Sequence, residues 1–149
     1  MSFRPGAQGY PLDRRGRIAL LVWSLCLVAG FGVAWSIDPD PRGFGTHERL
    51  GLPPCSFQTM FAIPCPSCGM TTSFSNFVRG RFVAACEANL AGFLLAAACA
   101  IQVPWAWWSV RRGRLWQVSR PDRAVLWLLT VVCAVALLQW LVRLMAGNE

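Results

Sequence analysis

IALLVWSLCLVAGFGVAWSI (residues 18–37) is a run of twenty residues without a charge. Coiled as an α-helix at about 1.5 Å per residue, it reaches about 30 Å, the thickness of a bilayer's hydrocarbon core. Before it stand Arg4, Arg14, Arg15 and Arg17, interspersed with Pro5, Pro11 and several glycines. Residues 1–17 therefore read as a short disordered cytoplasmic tail. Ala34-Trp35-Ser36 loosely resembles a signal-peptide cleavage site. A signal core spans only about 7–15 residues, however, and a bulky Trp flanks this site, so the run reads as an uncleaved anchor. Gly30 and Ala34 form a small-xxx-small pair, a candidate helix contact.

The rest of the chain fits the same environment. Of its 149 residues, 55% are hydrophobic and only 14% charged, too apolar for a soluble domain of this length. Phe82 to Val110 reads as a second span, with about 88–108 embedded in lipid and Trp105, Trp107 and Trp108 as an interfacial aromatic belt. Ala124 to Met145 is the third, spanning 124–145, with a short tail at 146–149. Trp127 and Trp140 stand roughly 20 Å apart along it, one near each interface, and Arg143 snorkels at its far end. The expected fold is an all-α membrane protein with about three transmembrane helices in one helical domain, 18–145. In the first outer loop, 38–81, Thr71 to Arg79 forms a short helix capped by Thr71 or Thr72. Its Phe74, Phe77 and Val78 share a side, so this helix is interfacial or re-entrant. Glu87 and Asn89 sit at the headgroup level.

Arginine placement sets the orientation. The net charge is +7 and all fourteen basic residues are Arg. With the N-terminus inside, the inner segments hold nine (Arg4, Arg14, Arg15, Arg17, Arg111, Arg112, Arg114, Arg120, Arg123) and the outer segments five (Arg42, Arg49, Arg79, Arg81, Arg143). The bias favours a cytoplasmic N-terminus and an extracytoplasmic cysteine loop. Arginines in short flanks beside apolar runs match anionic headgroups, so the expected partner is the lipid bilayer, with other membrane proteins and no nucleic acid.

Of the seven cysteines, Cys26, Cys99 and Cys133 lie inside apolar runs, where Cys acts as a small hydrophobe. Cys55, Cys65, Cys68 and Cys86 lie in or beside the loop, around Pro64-Cys65-Pro66-Ser67-Cys68-Gly69-Met70-Thr71-Thr72. Cys-Pro-x-Cys-Gly is the pattern of a metal-binding knuckle. Backbone N–H groups of a tight turn point at thiolate sulfur, and Gly tolerates the positive φ that the turn needs. Cys65 and Cys68 supply two ligands for zinc or another thiophilic metal, Cys55 a third, and His47 or Cys86 a fourth. The paired second knuckle of a strong zinc signature is absent. Two other readings stay open. The cysteines can form a structural bridge or pack as thiols. Alternatively Cys65 and Cys68 can be a redox pair in a membrane thiol–disulfide oxidoreductase, Cys68 being acidified by the helix that follows. No Ser/His/Asp set, paired-carboxylate site or phosphate-cradling glycine loop is visible, so the balance leans away from an enzyme.

The motif resembles a bacterial family of small membrane proteins catalogued as domain of unknown function 2752. The resemblance rests on Cys55, Cys65, Pro66, Cys68, Gly69 and Thr71, with Gly80 and Asn89 at matching spacing. Thr72 stands where the family usually has Arg, and Leu90 where it usually has Pro. The resemblance covers about Cys55 to Leu90. It implies a bacterial inner-membrane protein with a cysteine-centred site and no assigned activity. The Cys-Pro-x-Cys-Gly turn and the lack of catalytic partners, taken by themselves, favour a structural or metal-holding site in a candidate accessory subunit of a membrane complex.

Overall fold

The computed structural model describes residues 9–61, 63 and 65–146. The expectations for residues 1–8, for Pro64 and for the tail after 146 lie outside the described residues. Among the described residues, six α-helices and a 3-10 turn follow in order: α1 (Arg14–Ser36), the 3-10 turn (Thr46–Leu50), α2 (Ser56–Phe61), α3 (Met70–Val78), α4 (Phe82–Ala88), α5 (Leu90–Arg112) and α6 (Pro121–Ala146). Helices α1, α5 and α6 are each long and apolar enough to cross a membrane. Most of their surface faces outward, as lipid-facing helices require: Leu25, Trp35, Leu126 and Leu138 are all exposed. Among the described residues, extended pairing is limited to one isolated bridge, Pro11 to Arg114.

Helix α1 starts before the apolar run because Asp13 caps it, its carboxylate accepting from Gly16 N–H at 2.8 Å. The basic residues Arg14, Arg15 and Arg17 thus form a polar first turn. Helix α5 runs antiparallel to α1. Trp23 Nε1 donates to Gln102 Oε1 and Trp107 Nε1 to Ser24 Oγ, both at 3.0 Å. In hydrocarbon such pairs satisfy groups that have no water to turn to. Trp107 is therefore a helix–helix contact as well as a member of the expected belt. Trp105 Nε1 donates to Trp116 O at 3.0 Å, and Arg112 lies over the Trp108 ring. At Gly30 of the Gly30/Ala34 pair, an added Cβ would meet nothing within 4 Å among the described residues.

The two ends of the bundle are built differently. At one end, backbone bonds Tyr10 N to Val118 O (3.0 Å), Leu115 N to Tyr10 O (2.8 Å) and Leu12 N to Gly113 O (3.0 Å) tie the N-terminal segment to the α5–α6 loop. At the other end lie α2, α3 and α4. Here the stretch read as one span, Phe82 to Val110, is two helices, α4 and α5, separated by Asn89 in extended conformation (φ −165°, ψ 111°). The break has a local cause: the Asn89 side chain accepts from Gly92 N–H at 2.8 Å and so starts α5 afresh.

Helix α3 spans the gap between α1 and α5. Phe74 and Phe77 stack on Phe31 of α1, with centroids 6.2 and 6.3 Å apart, and Phe77 meets Phe93 of α5 edge-on at 5.7 Å. These are the aromatic positions that the sequence places on one side. The expected cap is not used. Gly69 occupies the N-cap position at φ 85° without a side-chain bond, and Thr72, Ser73, Ser75 and Asn76 of α3 are buried. Three of them bond to other elements, Ser75 Oγ to Ile37 O, Ser73 Oγ to Asn89 O at 3.0 Å and Thr72 Oγ1 with Thr46 Oγ1 at 2.7 Å, while Asn76 Nδ2 donates to Thr72 O within α3 at 3.1 Å.

Two arginines close helix ends that are not their own. Arg79 donates to Ala34 O at 3.1 Å and Trp35 O at 2.7 Å, capping the last turn of α1, and to Ser75 O at 2.9 Å. Arg143, expected only to snorkel, donates from α6 to Glu87 O at 3.0 Å and Ala88 O at 2.8 Å, the end of α4. A helix leaves its last four carbonyls unpaired and carries partial negative charge there, so a guanidinium is a fitting partner for both ends.

Candidate metal centre

Cys65-Pro66-Ser67-Cys68 forms a tight turn closed by Cys68 N–H to Cys65 O at 3.0 Å. Pro66, second in the turn, has its φ preset by its ring. The Ser67 N–H points at Cys65 Sγ, 3.4 Å away, the backbone-to-sulfur contact that a knuckle requires. Gly69 then turns the chain into α3 at φ 85°. A side chain is excluded there on a second ground. An added Cβ would collide with Ala88 O and stand 2.7 Å from Gly43 O. The turn is therefore pressed against the α4–α5 junction.

Asn89 locks it in place. Almost fully buried at 1% exposure, it donates from Nδ2 to Cys68 O at 3.1 Å and Pro66 O at 3.3 Å while its Oδ1 caps α5. On the other flank Thr46 Oγ1 and Thr72 Oγ1 share a buried hydrogen bond of 2.7 Å, and Thr46 Oγ1 also accepts from Asp40 N–H at 2.9 Å. Thr72 thus joins the 3-10 turn to α3.

Cys55 reaches the site from the other side of the loop. Its carbonyl accepts from Thr59 N–H at 3.0 Å, so it stands at the start of α2. The Sγ atoms of Cys55, Cys65 and Cys68 all lie within 4.8 Å of one another, a spacing that could hold a metal ion. Their residues are half-buried. His47, in the 3-10 turn, and Cys86, in α4, are not in this group. Among the described residues no disulfide is formed. Burial, with the Cys55 and Cys65 thiols close by, pushes the Cys68 thiol up to about 11, against the partial relief of a backbone bond. This direction is opposite to the acidification expected from α3, and its largest cause is desolvation.

No charged residue or histidine stands between Arg49 and Arg79, so the three thiols sit in a 29-residue segment, 50–78, with no formal charge. Several of its apolar side chains point outward, among them Leu50, Leu52, Met60 and Phe61, with Met60 75% exposed. The role of Asn89 is the one that sequence reasoning missed. The available signal was an Asn three residues before Gly92 at the head of an apolar run, which fits a cap better than a headgroup-level polar residue.

Residues 55–103 match the model of a family described as protein of unknown function, DUF2752. The matched segment takes in the three clustered cysteines, the Asn89 clamp and the first half of α5. No curated protein and no solved structure matches the chain.

Proposed function

We propose that this is a non-enzymatic inner-membrane protein of bacteria whose loop holds zinc, or another thiophilic metal, on Cys55, Cys65 and Cys68. The observation that carries the reading is the meeting of three sulfurs within 4.8 Å from two separate elements, with the Ser67 N–H already aimed at one of them. Ionising three thiols crowded together in an uncharged loop is costly, and a bound cation removes that penalty. The metal would staple the start of α2 to the turn before α3. A fourth ligand, in a tetrahedral site, comes from beyond these three: a movement of His47 or Cys86, or a residue of a partner membrane protein. The latter suits an accessory subunit. The nine-to-five arginine bias supports a cytoplasmic N-terminus and an extracytoplasmic site. The thiol–disulfide reading stands second, because an attacking thiol benefits from a lowered pKa and Cys68 is pushed the other way.

Elemental analysis of the detergent-purified protein, prepared without chelator, tests the proposal. Near-stoichiometric metal is expected in the native protein, with loss in Cys55→Ser and in the Cys65→Ser/Cys68→Ser double variant. Metal-free native protein that takes up no zinc on titration would overturn it.

A further inference from the structure

Away from the cysteines, at the same end of the bundle, a cavity of about 660 Å³ opens between residues 39–44, α4 and the end of α6. Its charged lining is Asp40, Arg42, Arg81, Glu87 and Arg143. These groups are not equally available. Arg42 bonds both oxygens of Asp40 at 3.0 Å and reaches Glu48 at 3.3 Å, so that cluster is internally matched. Arg143 uses one nitrogen on the carbonyls of Glu87 and Ala88 and has no carboxylate partner among the described residues. The side chains of Arg81 and Glu87 have no hydrogen bond or ion pair among the described residues. The cavity thus presents two cations and one anion still open to a ligand.

Its height in the fold narrows the choice. Arg143 lies in the last turn of α6, and Glu87 and Ala88 lie just before the start of α5. Both α5 and α6 are candidate membrane spans, so the cavity stands where a span ends and lipid headgroups begin. Val83, one helical turn before Glu87 on α4 and 74% exposed, offers apolar surface on that side of the helix. A ligand with a phosphate, a cationic nitrogen and acyl chains matches all three features.

We propose that this cavity binds the phosphoethanolamine headgroup of a membrane lipid, with the phosphate on Arg81 and Arg143 and the ammonium on Glu87. Guanidinium groups suit phosphate oxygens through charge-assisted hydrogen bonds. A carboxylate accepts hydrogen bonds from a primary ammonium, whereas the quaternary nitrogen of choline has none to donate. A glycerol headgroup carries no cation at all. The site therefore selects ethanolamine over choline and glycerol lipids.

Binding of dihexanoyl phosphatidylethanolamine, phosphatidylcholine and phosphatidylglycerol to the full chain in detergent tests this, with free phosphoethanolamine as a further arm. The ethanolamine lipid is expected to bind about tenfold more tightly than the other two, the worth of one charge-assisted hydrogen bond. Glu87→Gln should abolish that preference. Arg81→Ala should weaken all three lipids, with Arg81→Lys recovering part of the loss and showing that the fold survives. Equal binding of the three lipids, or an unchanged preference in Glu87→Gln, would overturn the headgroup assignment. Free phosphoethanolamine binding as tightly as the lipid would overturn the membrane source, and no binding in any arm would overturn the site.

Discussion

Asn89 Nδ2 donates to the carbonyl of Cys68 at 3.1 Å, across 21 residues of sequence, while its Oδ1 receives Gly92 N–H at 2.8 Å. One amide thus starts a candidate membrane span and fixes the thiol turn against it. Asn89→Ala should cost about 2–3 kcal/mol, combining a lost cap with buried carbonyls left unpaired. Asn89→Asp keeps the cap acceptor but cannot donate to Pro66 and Cys68. Thermal unfolding in detergent should place Asp between Asn and Ala in stability. An Asp variant as stable as the native protein would show that the clamp on the turn contributes nothing.

Gly69→Ala combines two penalties, a positive φ of 85° and a collision with the Ala88 carbonyl. The φ penalty alone is on the order of 1 kcal/mol, and the backbone oxygen cannot rotate away as a side chain would. The variant should lower both thermal stability and metal content. Native metal content in Gly69→Ala would mean that the turn tolerates displacement from the α4–α5 junction.

Arg79 caps α1 from another helix, and its planar group reaches Ala34 O, Trp35 O and Asp38 while its side chain is only 14% exposed. Arg79→Ala should cost about 3 kcal/mol, since several charge-assisted bonds to helix-end carbonyls go at once. Arg79→Lys keeps the charge but cannot span the two carbonyls with a fork, and should recover less than half of that. Hydrogen exchange should locate the damage in the last turn of α1. Protection lost evenly over the chain would contradict a local cap.

The Thr46–Thr72 pair gives an asymmetric expectation. Thr72→Val removes one bond and leaves Thr46 Oγ1 still accepting from Asp40 N–H. Thr46→Val strands both the Thr72 hydroxyl and the Asp40 N–H. Each buried group left unpaired costs about 1–3 kcal/mol, so Thr46→Val should be the more destabilising. Adding Thr72→Val to Thr46→Val should then cost little. Equal losses in the two single variants, measured by denaturant or thermal unfolding, would contradict the arrangement.

The membrane scaffold was legible in the chain itself, because a bilayer demands long uncharged runs and every such run is written in consecutive residues. So were the knuckle turn, the positive φ of Gly69 and the shared side of Phe74 and Phe77, all consequences of spacing within a few residues. Thr71 and Thr72 show the limit. Their residue type suits a cap, but burial against the 3-10 turn gave Thr72 a different partner.

What only the tertiary structure decided are the contacts between residues far apart in sequence. The sequence names Cys55, Cys65 and Cys68, yet nothing in their spacing brings the first beside the other two; the path of the folded loop does. Asn89 as clamp and Arg79 and Arg143 as caps of foreign helices belong to the same class. A helix end or a thiol turn states its unpaired groups locally, but which side chain arrives to satisfy them depends on how the helices are arranged around it.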